Sequence, residues 1–260
     1  MKLRKLTTAI AVSMAFASSA AFATPFYENV NAWDTTPVSG TDGKTAVMDE
    51  MQVNWAAISV YTDTNSSGGV NVGDAVVDSG VGSVGGYLFG GINLLGGEAN
   101  EGINFTHALN FSYNNLAGTV LFASGSNILA QYTSGTINVY GDRMDGGTAQ
   151  DLLLLTLGVF NSDGTIGNFN IYSTVDYAAP GVWFFPPVFD WASSVIAINS
   201  RIDTNLDHGS VPAWQTNGTY SRTSRLNGRI EFNVPEPASI ALMGLGLLGL
   251  GLSRRNKKAA

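Results

Sequence analysis

Large apolar side chains fall on every second residue from Ile103 to Tyr113, and the residues between them are small or polar. A strand that sends alternate side chains to opposite faces requires this pattern. The segment therefore reads as a half-buried β-strand, with His107 on its apolar side. The same period recurs over residues 136–140, 169–175, 196–202 and 230–234, with Gly, Asn or Asp at the breaks. Residues 151–160 are nearly continuously apolar, which predicts a buried central strand; a short helix is the other reading of such a run. Asn161-Ser162-Asp163-Gly164 reads as the hairpin turn that follows it. About nine to twelve strands with little helix predict an all-β fold, an antiparallel β-sandwich of jelly-roll type. The 31 glycines and 22 asparagines fit many tight turns, and no internal repeat is visible.

Both ends break the pattern. Lys2, Arg4 and Lys5 precede a mostly apolar stretch from Leu6 to Phe16, and Ala21-Phe22-Ala23 supplies the small-x-small site of signal peptidase. Residues 1–23 are thus expected to be an export signal, with the mature chain starting at Thr24. At the other end, Ile240 to Leu252 is an apolar run of 13 residues, against the ~20 that a helix needs to cross a bilayer core. Pro235 and Pro237 keep it from growing backwards as a helix. Arg254, Arg255, Lys257 and Lys258 then supply a basic stop of the kind held on the cytoplasmic side.

A short recognition motif, a marginal apolar helix and a basic end have the logic of a processed sorting tag. Val234-Pro235-Glu236-Pro237-Ala238-Ser239, the Gly/Leu run and Ser253-Arg254-Arg255 resemble a PEP-CTERM sorting signal. The resemblance implies recognition and cleavage by exosortase, an integral-membrane cysteine protease of Gram-negative bacteria that make exopolysaccharide. The expected organisation is a signal peptide at 1–23, a β-sandwich at 24–233 and a sorting segment with a hydrophobic helix at 234–260. The expected route is export through the inner membrane, transient anchorage there, and release to the cell surface or extracellular matrix.

Setting the two end segments aside changes the charge picture. Residues 24–233 hold six basic and 19 acidic side chains, a formal charge of −13 against −7 for the whole chain. Such a body repels nucleic acid and anionic lipid and suits cations or neutral glycans. The absence of cysteine leaves its stability to the core rather than to disulfides.

Three stretches of the body, Thr41–Met51, Tyr61–Asn65 and Arg222 through Leu226-Asn227-Gly228 to Phe232-Asn233-Val234-Pro235, resemble flocculation-associated PEP-CTERM proteins. That similarity implies a part in holding cells and exopolysaccharide together, and names no site.

The segment with the most chemistry is Asp63 to Asp74. Counted as a calcium loop, Asp63, Asn65 and Ser67 take positions 1, 3 and 5, and Gly68 takes the turn. Gly69 offers its carbonyl at 7, while Asn71 and Asp74 take 9 and 12. It resembles dockerin and EF-hand loops, but position 12 is Asp rather than Glu and the flanks read as strand. With two carboxylates, a Kd of roughly 0.1–1 mM is expected. The competing reading is a solvated Asn/Ser/Gly turn. Asp203, Asn205 and Asp207 form a weaker version, with the Gly one residue late. Gly80-Val-Gly-Ser-Val-Gly85 reads as a flexible strand connection rather than a nucleotide loop. Only two histidines, His107 and His208, with no cysteine and no nucleophile elbow, argue against a Ser or Cys triad, and no catalytic residue is assigned. Trp183, Phe184, Phe185 and Trp191, set among prolines, suit a glycan-stacking platform or an aromatic plug at one end of the fold.

The sequence thus points to a non-enzymatic, exported protein of the polysaccharide matrix or cell surface. Its expected partners are signal peptidase, exosortase and exopolysaccharide, with no required cofactor and calcium as the candidate ion. The alternatives are a lectin-like module and a glycoside hydrolase or lyase built on paired carboxylates.

Overall fold

The computed structural model describes residues 23–34, 42–143, 152–186, 189–193, 198–207, 212–215 and 218–233. Residues 1–22 of the signal segment, the sorting motif Val234–Pro237, the apolar run expected to form a sorting helix, the basic stop Arg254–Lys258 and His208 lie outside them. In chain order the strands are β1 (Tyr27–Glu28), β2 (Glu50–Thr62), β3 (Ala75–Phe89), β4 (Ile92–Asn93), β5 (His107–Ser124) and β6 (Asn127–Arg143). They continue with β7 (Leu152–Thr165), β8 (Asn168–Ala178), β9 (Trp183–Phe185), β10 (Phe189–Asp190), β11 (Asn199–Asp207), β12 (Ala213–Trp214) and β13 (Thr219–Asn233). One helical turn, α1 (Gly97–Asn100), lies between β4 and β5.

The expected sandwich is not what forms. Eight strands run β2–β3–β5–β6–β7–β8–β11–β13, each antiparallel to the next, and β13 pairs back onto β2. The ring is closed by β11, which pairs with β8 on one side and with β13 over Asn199↔Asn233 to Asp207↔Arg225 on the other. The molecule is therefore a closed up-and-down β-barrel. The alternation of side chains is the same in a sandwich and a barrel; closure depends on the first and last long strands pairing across the chain. Ladder irregularities at Gln52/Val53, Asp78/Gly80, Ser112/Ala117 and Val159/Asn161 supply the local bends and extra twist that closure demands.

An eight-stranded barrel has an interior just wide enough to be filled by side chains. Val53, Trp55, Phe111, Tyr113, Ile137, Ile171, Ile202 and Ile230 fill it, leaving a cavity of about 20 Å³. Two glycines of β3 make the rings fit. A Cβ at Gly80 would lie 2.5 Å from Tyr113 Cζ, and one at Gly82 would lie 2.5 Å from Phe111 Cζ. The Gly80–Gly85 stretch is thus the interior of a strand, and its glycines are spaces for aromatic side chains rather than points of flexibility. The turn after the apolar run also moves: residues 161–164 continue β7, and the hairpin reverses at Ile166-Gly167. On the other side, β5 begins at His107, and Ile103–Thr106 form a turn before it.

Up-and-down order gives the barrel two unlike poles. The loop pole carries the β2–β3, β5–β6, β7–β8 and β11–β13 connections. The terminal pole carries the start of β2, the end of β13, and a small sheet in the order β1–β9–β10. The amide of Thr24 donates to the carbonyl of Phe232 (2.7 Å), so the first and last described segments meet there. Ala23–Asn233 form one compact unit.

Candidate functional site

At the terminal pole, Phe26, Trp183, Phe185, Trp191 and Phe232 pack into one another. Trp191 lies 4.7 Å from Phe232, 4.9 Å from Phe185 and 5.7 Å from Trp183, centroid to centroid. Trp183, Trp191 and Phe232 have no exposed surface, and the Trp183 indole donates to the Leu154 carbonyl at 3.1 Å. Neither tryptophan offers a face to a sugar. Among the four residues of the expected platform, Phe184 is the half-buried one, and its ring stacks on Tyr27 at 5.2 Å.

Beside this plug sits an acid that sequence reasoning passed over. Glu28 is wholly buried. Its Oε1 accepts from Trp33 Nε1 at 2.9 Å, and its Oε2 is held by the Tyr87 hydroxyl. Burial lifts its carboxyl to about 7, while the Tyr87 and Trp33 hydrogen bonds pull the other way. His107 is buried edge-on to Trp33 at 5.2 Å. Burial drops its imidazole to about 4, against the opposing pull of the Asp34 charge, so the ring is neutral at physiological pH.

The loop pole holds a second buried polar layer. Asp78 accepts from the Tyr132 hydroxyl at 2.5 Å. Arg222 lies over the Tyr61 ring at 5.7 Å and donates through Nη1 to the Ser126 carbonyl at 3.0 Å. Burial raises Asp78 to about 6, offset in part by Tyr132, Ser59 and the Arg222 charge. A cavity of about 30 Å³ touches Asp78, Arg222, Ser59 and Ser224, space for a water or two bonded to Asp78 Oδ1, Arg222 Nε and Ser224 Oγ. Alternation carried the signal for these residues. Asp78 shares the inward face of β3 with Val76 and Val84, and Arg222 shares that of β13 with Leu226 and Ile230.

The expected calcium loop is the β2–β3 connection at this pole. Asp63 accepts from the amides of Ser67 (3.1 Å) and Gly68 (2.9 Å), and Asn65 Oδ1 accepts from the Ser67 amide (3.0 Å). The Gly68 amide in particular holds the Asp63 carboxyl below its ordinary value. Asn71 Nδ2 donates to Ser67 Oγ and the Gly69 carbonyl. Asp74 is buried and turned to other partners, with Oδ1 taking Thr64 N and Oδ2 taking Asn71 N. The loop thus gathers Asp63, Asn65, Ser67, Gly69 and Asn71 around shared hydrogen bonds, while Asp74 anchors its base. Asp203, Asn205 and Asp207 lie within β11 rather than a loop. Asp203 faces Arg201 at 3.9 Å, and the side chains of Asn205 and Asp207 lie outside the described residues. Among the described residues no group of three or more His, Asp or Glu side chains is placed to hold a metal ion, and no helix is long and apolar enough to cross a membrane.

The outer wall has a different character. Over β2, β3, β5 and β6 it bears a shallow groove of about 560 Å³, touched by Ile58, Ser79, Val81, Ser112 and Thr136 among others and by no charged residue.

The barrel's last strand ends at Asn233, where the sorting segment begins. No curated protein matches the chain. The family profile of the PEP-CTERM protein-sorting motif matches residues 233–255, which include Val234–Pro237, the apolar run, Arg254 and Arg255. Carrying this export and membrane-processing signal, the chain is a PEP-CTERM protein, a substrate of exosortase.

Proposed function

We propose that the barrel is a non-enzymatic structural protein of the extracellular polysaccharide matrix or cell surface, with a role in flocculation or biofilm cohesion. The observation that carries this reading is the sorting motif, which ties the chain to exosortase processing. The body is consistent with it. Its interior is filled, and its two strongly shifted carboxyls, Glu28 and Asp78, are enclosed in opposite poles, which supports reading the barrel as a scaffold. The acidic surface favours solubility once the basic ends are gone. A lectin-like mode through Trp183 and Trp191 loses its footing because both rings are packed inside.

Replacing Pro235, Glu236 and Pro237 with Ala tests the reading. Export should persist, uncut precursor should collect in the inner-membrane fraction, and the matrix fraction should lose the protein along with floc or biofilm cohesion. Mass spectrometry of the extracellular wild-type protein should find a chain lacking Arg254 to Lys258. A mature protein that keeps those residues, or a deletion strain with normal flocs, defeats the proposal.

A further inference from the structure

We propose that the outer wall of β2, β3, β5 and β6 is a binding groove for a neutral polysaccharide strand, which deepens the matrix reading above and rests on it. The strand registers line up two rows of outward residues across the barrel. One runs Ala56, Val81, Ser112, Asn138 and Thr156; the next runs Asn54, Ser83, Asn110 and Tyr140. Neighbouring members are one strand spacing apart, about 4.8 Å. The second row therefore offers an amide or hydroxyl at every strand it crosses, and the first does so from Ser112 onward. Such groups both donate and accept hydrogen bonds, as sugar hydroxyls do.

The groove of about 560 Å³ takes in Ala56, Val81, Ser112 and Asn138 of the first row and Tyr140 of the second, and extends over Ile58, Ser79, Asn114 and Thr136. A second hollow of about 470 Å³ shares Ala56 and Val81 with it and adds Asn54, Asn227 and one cation, Arg225. Between the polar groups, Val81 is 66% and Ile58 48% exposed, which gives the C–H faces of a sugar chain an apolar seat. Charge selects the occupant. The body carries −13, yet the larger groove contains no charged side chain. An acidic glycan would be repelled by the surrounding field and find no counter-charge in that groove, whereas a neutral one gives up no charge hydration there. A second barrel is a poorer occupant. Two convex walls meet along a narrow line, and a stable protein interface takes about 800 Å² per partner.

The test is affinity electrophoresis of the exported protein in native gels containing hydroxyethylcellulose, dextran or galactomannan, with alginate as the acidic comparison. At least one neutral polymer should retard the wild type, and alginate should not. Val81→Glu combined with Ser112→Asp, both at outward positions, should weaken that retardation at least tenfold. Phe160→Glu, on the neighbouring β7, should leave it unchanged, and tryptophan fluorescence should show all variants folded. Retardation by no neutral polymer, by alginate alone, or loss shared by Phe160→Glu overturns the proposal. So does a dimer in sedimentation equilibrium that the double variant dissociates, since the wall's occupant is then a second copy. Localisation separates the two levels. A double variant that stays in the matrix as the wild type does removes the groove and leaves the matrix reading standing. A wild type absent from the matrix removes the reading itself.

Discussion

Replacing Glu28 with Gln should change how the barrel's stability depends on pH, and the amount follows from where the side chain sits. The carboxyl is wholly buried and raised from 4.5 to about 7, mainly by desolvation. Between those values the folded chain keeps a proton that the unfolded chain has lost. Folding therefore takes up a proton, and Glu28 makes stability fall as pH rises through the window. At about 1.4 kcal/mol per unit the whole effect is roughly 3 kcal/mol. Asp78, raised from 3.8 to about 6, works in the same direction. His107, lowered from 6.5 to about 4, works in the opposite one, since the unfolded chain takes up a proton there as pH falls. From pH 4.5 to 6 the three leave a net fall of about one proton's worth, and near pH 6.5–7 Glu28 acts alone. Gln cannot ionise, and its carbonyl can still accept from Trp33. Urea unfolding of both proteins from pH 5 to 8 should show Glu28→Gln gaining on the wild type by about 2.5 kcal/mol across the series. Parallel curves over that range would mean that Glu28 is ionised in the fold, or that burial does not set its protonation.

Four other outcomes test the packing and the loop. Gly82→Ala should destabilise by about 1–3 kcal/mol through overpacking against Phe111 and the Asn54 carbonyl. Gly125→Ala, in a turn with φ of 62° and open space around it, should cost only the ~1 kcal/mol of a left-handed backbone; urea midpoints separate the two. Trp191→Ala should lose about 3–5 kcal/mol while leaving any polysaccharide retardation intact, because the ring is sealed in the terminal plug. Calcium at 10 mM should raise stability by about 1.4–2.7 kcal/mol if the β2–β3 loop binds it at 0.1–1 mM, and Asp63→Ala should abolish that rise in calorimetry; a melting curve indifferent to calcium disposes of the ion.

Much of the barrel was legible one strand at a time. Period-two alternation located β5, β6, β8, β11 and the end of β13, because each has one wet and one dry face. It did not show closure. A sandwich strand and a barrel strand alternate alike, and the deciding contacts join β13 to β2, more than 150 residues apart. The glycines misled for a related reason. Gly80 and Gly82 look like flexibility until the partners Tyr113 and Phe111 are known, and those arrive from another strand. The aromatic run 183–191 was legible as apolar mass, but whether it faced a sugar or the core depended on Phe26 and Phe232.

The candidate sites divide along the same line. The loop 63–74 was readable because its hydrogen bonds join residues a few positions apart. The sorting motif was readable because a membrane protease meets it as a short linear segment. The outer-wall rows were invisible because each takes one residue from each strand: Asn54, Ser83, Asn110 and Tyr140 have no relation along the chain. Their lack of charge acquires meaning only when the registers bring them together. A −13 body with an uncharged track across several strands has segregated its charge. Among the described residues, Asp63, Asp163, Asp176, Asp203 and Glu231 lie at the poles or towards β8, β11 and β13. Repulsion between copies then opposes their close approach, and the neutral wall is the proposed seat of a ligand that carries no charge.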